Sequence, residues 1–99
     1  MIDNKKEYVE QLRYLVKEGR VTEAVALLQR DLEQATGEEE RAEIWFELGV
    51  IYNGVADFPR ALNCFNAVLR VNRDHLQARA YVEMINGILN YYSRELLNP

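Results

Sequence analysis

The sequence predicts an all-α fold, and three observations carry that prediction. Apolar residues recur at helical spacing along most of the chain. The helix-interrupting residues are scarce, with two prolines and five glycines in 99 residues. Between Trp45 and Arg73 the spacing Trp45-x2-Leu48-Gly49-x2-Tyr52, then Ala61-x3-Phe65, sets large and small residues alternately on helix faces.

The elements follow in order. Asn4 is placed to cap a first helix, with Glu7 three residues on to complete a capping box. Tyr8, Val9, Leu12, Leu15 and Val16 form its apolar stripe, and Lys17 and Gly19 fit a basic last turn followed by a left-handed residue. A second helix opens near Thr22, carries Ala24, Val25, Leu28 and Leu32 on one face, and fades at Gln34-Ala35. Thr36 and Glu39 are spaced as a capping box for a third helix, whose early acids suit the positive end of the helix dipole. That helix runs through Trp45 and Tyr52 and is expected to stop at Asn53-Gly54. Asp57-Phe58-Pro59 starts the fourth, where proline is tolerated because a first-turn N–H has no helical partner. Its stripe is Ala61, Leu62, Phe65, Val68 and Leu69. Asp74, with Gln77 three residues on, begins a fifth helix that extends toward Leu97, with the stripe Tyr81, Met84, Ile85, Ile88, Leu89, Tyr92 and Leu96. Gly87 inside it costs about 1 kcal/mol against alanine, which suggests a close contact or a bend.

The second and fourth helices correspond. Ala24 and Ala61 stand 37 residues apart, and aligning them pairs Val25 with Leu62, Leu28 with Phe65 and Leu32 with Leu69. The chain thus resembles the tetratricopeptide repeat family, helix–turn–helix units of about 34 residues that stack side by side. It is similar in particular to short bacterial two-repeat proteins ending in one long helix. The resemblance implies an α-α superhelix in a single domain over 1–99, with repeat one at about 5–38, repeat two at about 42–75 and a capping helix at about 75–97. Tyr81-x2-Met84-Ile85-x2-Ile88 sits in the signature positions of a third first-helix. The departures are local: Leu12 replaces the usual glycine of repeat one, Tyr8 stands where Trp45 stands in repeat two, Ala56 replaces the inter-helix glycine, and Arg73 the closing proline.

The family uses the concave face lined by the first helix of each repeat. Carried over residue by residue, the resemblance implies a partner-binding groove of Lys6, Val9, Arg13, Val16 and Lys17, of Glu43, Phe46, Val50 and Asn53, and of Arg79, Val82, Asn86, Leu89 and Asn90. Four cations against one acid, over an apolar floor of Phe46, Val50, Val82 and Leu89, lead us to expect a protein or peptide partner with acidic and apolar residues. The family's clamp for a C-terminal carboxylate is not expected, because Val9, Arg13, Glu47 and Glu83 occupy its positions. The alternative is structural self-association as a homodimer, through the groove and the Tyr91, Tyr92, Leu96 and Leu97 end of the last helix.

Other classes find little support. The net charge of −4 argues against general nucleic-acid or anionic-membrane binding. Met1 to Glu10 hold three acids, two lysines and no apolar run, so no secretory signal is expected, and no window has the roughly 20 apolar residues of a membrane span. Cys64 is the single cysteine, so a cytoplasmic location is the expectation. His75, next to a helix start, is expected to cap or to face solvent, Cys64 to be an inert thiol, and Trp45 to be core. No catalytic, metal or cofactor motif is recognised, and the chain is expected not to be an enzyme.

Overall fold

A computed structural model describes residues 5–97, with side chains from residue 6 to residue 92. It places five helices and no strands among the described residues: α1 Lys5–Lys17, α2 Val21–Gln34, α3 Glu38–Gly54, α4 Phe58–Val71 and α5 Leu76–Leu97. The expected cap Asn4 and the side chains of Leu96 and Leu97 lie outside the described residues. Each helix packs principally on its neighbours in sequence, α3 on α4 most closely. The radius of gyration is accordingly 14.7 Å, against about 13 Å for a compact chain of this length.

The turns explain the boundaries. After α1, Gly19 takes φ +78°, the Arg20 N–H donates to the Leu15 carbonyl at 2.8 Å and the Gly19 N–H to that of Val16 at 3.0 Å. This is a Schellman closure with glycine in its left-handed position. The same closure ends α3, where the Asp57 N–H donates to the Tyr52 carbonyl at 2.9 Å and the Ala56 N–H to that of Asn53 at 3.0 Å. Here the left-handed residue is Ala56, at φ +62°. The helix stops at Gly54 as expected, and the left-handed turn that follows is made by an alanine.

Two caps move. Gly37 in extended conformation precedes α3 with no side-chain cap, and Thr36 Oγ1 lies 3.4 Å from the Glu40 carboxylate instead of forming a box with Glu39. At α5 the expected Asp74/Gln77 start gives way to His75, whose Nδ1 accepts from the Ala78 N–H at 3.1 Å, while the Asp74 N–H is held by Asn72 Oδ1 at 3.2 Å. Asp57 caps α4 as expected, accepting from the Arg60 N–H at 3.3 Å and pairing with its guanidinium at 2.7 Å.

Two apolar clusters fill the interior. The first joins Leu12, Ala24, Leu28, Ile44, Leu48, Ile51 and Cys64, and the second joins Ala61, Phe65, Val68, Ala78 and Ile85. Half-buried Trp45 and Tyr52 pack on both. The helix between them, α3, is apolar nearly all round from Ile44 to Tyr52, as a helix flanked on two sides must be. Its face toward α4 carries Gly49, and a Cβ built there would stand 2.7 Å from Phe65 Cε1 and 2.8 Å from Cζ. Phe65 is fully buried and stacks on Tyr81 of α5 at 4.4 Å with ring planes 6° apart. α5 has one large neighbour, so it buries Ala78 and Ile85 and packs Tyr81, Val82 and Leu89 beside them. Met84 and Tyr92, expected in its stripe, are exposed.

Three substitutions test these contacts by chemical denaturation. Gly49→Ala should lose about 1–3 kcal/mol, because the buried Phe65 ring cannot withdraw. Gly87→Ala, with open space around its Cβ position, should gain about 0.5–1 kcal/mol. Ala56→Gly should gain about as much by relieving the left-handed alanine. A neutral Gly49→Ala would show that α3 and α4 can separate without cost.

Candidate functional site

A cleft of about 980 Å³, open to solvent, lies between α1, α2, α3 and the entry to α5. Helical spacing brings its lining together. α2 contributes Leu28, Asp31 and Gln34, one face at intervals of three. α3 contributes Glu40, Glu43, Ile44 and Glu47, the neighbouring positions of another face, with Phe46 beside them. α1 supplies Tyr8 and Val9, the α4–α5 turn supplies His75, and the first turn of α5 supplies Gln77.

The cleft has an apolar part and a negative part. Val9, Ile44, Phe46 and the Tyr8 ring form the first. Phe46 is fixed by ring contacts to Phe65 at 5.6 Å, His75 at 4.9 Å and Tyr81 at 6.1 Å. The negative part is Asp31, Glu40, Glu43 and Glu47, and among the described residues no lysine or arginine lines the cleft. The Tyr8 hydroxyl donates to Asp31 Oδ2 and so ties α1 to α2. Burial, then that hydrogen bond, then the charges of Asp31 and Glu47 push the Tyr8 phenol well above its usual range. Asp31 and Glu40 thus meet neutral hydroxyls, Tyr8 and Thr36, which position the carboxylates without cancelling their charge. Among the described residues, no three histidine, cysteine or carboxylate side chains gather as a metal site.

The fourteen groove residues read from the sequence distribute differently. The cleft brings together Val9, Glu43 and Phe46. Lys6, Arg13, Lys17, Arg79, Asn86 and Asn90 are exposed and outside its lining. Val16 packs on the first cluster, and Val50, Val82 and Leu89 on the second, as Phe46 also does. Asn53 is half-buried, and its Oδ1 is buried with no hydrogen-bond partner among the described residues. Sequence reasoning missed Tyr8, Leu28, Asp31, Gln34, Glu40, Ile44, Glu47, His75 and Gln77 as lining residues. The 40-43-44-47 spacing was an available signal on α3, whereas the Tyr8–Asp31 bond joins residues 23 apart and has none.

A second, smaller hollow of about 510 Å³ lies along α5, lined by Phe58, Met84, Gly87, Ile88, Tyr91 and Tyr92. Cys64 is buried, and that burial, with a smaller effect of Asp57, pushes its thiol up to about 11. His75 uses Nδ1 as the acceptor that caps α5, so its ring proton sits on Nε2. Compared with family models, curated proteins and solved structures, the chain matches none.

The thiol generates a pH prediction. Its pKa is higher in the folded chain than in the unfolded one, so the associated stability is present below about pH 9 and is lost as pH rises toward about 11. The loss should be on the order of 2 kcal/mol by urea unfolding, and Cys64→Ala should flatten this alkaline limb. A limb unchanged in Cys64→Ala would assign it to other groups.

Proposed function

We propose that the chain is a non-catalytic interaction module of the tetratricopeptide type, which holds a segment of a partner protein in its concave cleft. The cleft is the observation that carries this reading. Its volume is at the upper end of ordinary ligand sites, it is open along one side, and it combines an apolar part with dispersed carboxylates. Such a surface suits an extended or helical segment better than an enclosed small molecule. Three features support the family reading. The Trp45 to Phe65 spacing matches the repeat signature, the helices pack in sequence, and the two Schellman closures place Gly19 and Ala56 37 residues apart, the same offset as Ala24 and Ala61. Among the described residues, no helix is long and apolar enough to cross a membrane. We place the module in the cytoplasm, acting without cofactor or nucleic acid.

A photo-crosslinking residue tests the location. Placed at Glu43, it should capture a partner from host extract, and placed at Asn63, exposed on α4 away from the cleft, it should not. Equal capture from both positions would remove the cleft from the reading.

A second reading, self-association through α5, is favoured by the exposed Met84, Tyr91 and Tyr92 beside the hollow at Phe58. It expects a mass that rises toward a dimer with concentration in light scattering, and Tyr91→Ser to return it to the monomer. A monomer across the concentration range would refute it.

A further inference from the structure

The sign of charge in the cleft names the partner's chemistry, an inference that rests on the peptide-binding reading above. We propose that the cleft takes a basic segment of another protein, one that presents lysine or arginine beside a single bulky apolar side chain. The apolar side chain lies against Phe46 and Val9, and the cations meet Asp31 and Glu40 at the edges. This is the reverse of the acidic partner suggested by Lys6, Arg13, Lys17 and Arg79, which are exposed outside the cleft lining.

Charge complementarity supports this occupant. The cleft carries carboxylates contributed by two different helices, and Asp31 and Glu40 are each held by a neutral hydroxyl. A hydroxyl donor fixes a carboxylate oxygen while leaving its charge to act on an incoming cation. The carboxylates are dispersed and do not converge on one point, so they fit cations spaced along a chain better than one compact ion. An acidic segment would bring like charges to Asp31 and Glu40 and be repelled.

The test uses the full chain and short fluorescent peptides of equal length, read by anisotropy: one alternating lysine and leucine, one with glutamate for lysine, one with serine for leucine. The lysine–leucine peptide should bind, and its affinity should fall as salt rises. The double variant Asp31→Asn/Glu40→Gln, which keeps hydrogen-bond acceptors in place, should bind it about fivefold or more weakly. Glu33→Gln, on an exposed residue outside the cleft, should leave binding unchanged.

Preference for the glutamate peptide would overturn the charge assignment and leave the peptide-binding reading standing. Equal binding of the lysine–serine peptide would mean cation attraction without docking and would overturn the proposal. So would equal weakening by Glu33→Gln. If no peptide binds, the proposed basic occupant is wrong, while the crosslinking comparison judges the wider reading separately. A dimer in light scattering that Asp31→Asn/Glu40→Gln dissociates would name a second copy as the occupant instead.

Discussion

The structure depends on one contact, the ring of Phe65 lying directly on the backbone of Gly49. Without a Cβ on α3, the two helices close to a distance at which any side chain would overlap the ring. The ring is then fully buried, and its other side is covered by Tyr81 at 4.4 Å. Phe46 meets its edge. One side chain of α4 therefore sets its position against α3 and, through Tyr81, against α5. Dense packing makes such a contact unforgiving, because a buried ring between two neighbours has no free volume to move into. The favourable term is the burial of a large aromatic surface, and glycine's weak helix propensity is the accompanying cost.

The consequence reaches the cleft. Phe46 forms part of its apolar lining and is held by Phe65, Tyr81 and His75 together. His75 and Gln77, at the entry to α5, form its far side, so their position follows from where Tyr81 seats that helix. The near side depends on a second link, the Tyr8 hydroxyl bond to Asp31. The cleft is assembled from helices that contact mainly their sequence neighbours, and its shape is the accumulated result of successive packing angles. The proposed partner segment would therefore sense changes made in the α3–α4 interface, which it does not touch.

Charge shows how composition can mislead about a site. The acids of α3 that line the cleft recur at intervals of three and four, so they share one face, and Asp31 on α2 joins them only through tertiary packing. Lys6, Arg13 and Lys17 of α1 are exposed and outside the cleft lining. Of the fourteen residues assigned to the groove from the sequence, Val9, Glu43 and Phe46 line this cleft.

Local features were legible from the residues alone. The five helices, the left-handed Gly19, the Asp57 cap with proline in the following turn, and the burial of Ala24, Leu28, Ala61 and Phe65 all rest on interactions within a few residues or on one helical period. The tertiary structure decided what spans elements. It chose which face of α5 is buried, exposing Met84 and Tyr92 while Val82 and Leu89 pack inward. It also gathered carboxylates from two helices into one cleft. The physical reason is the same in each case. A helical period specifies which residues share a face, whereas the direction that face points is fixed by the neighbour it packs on.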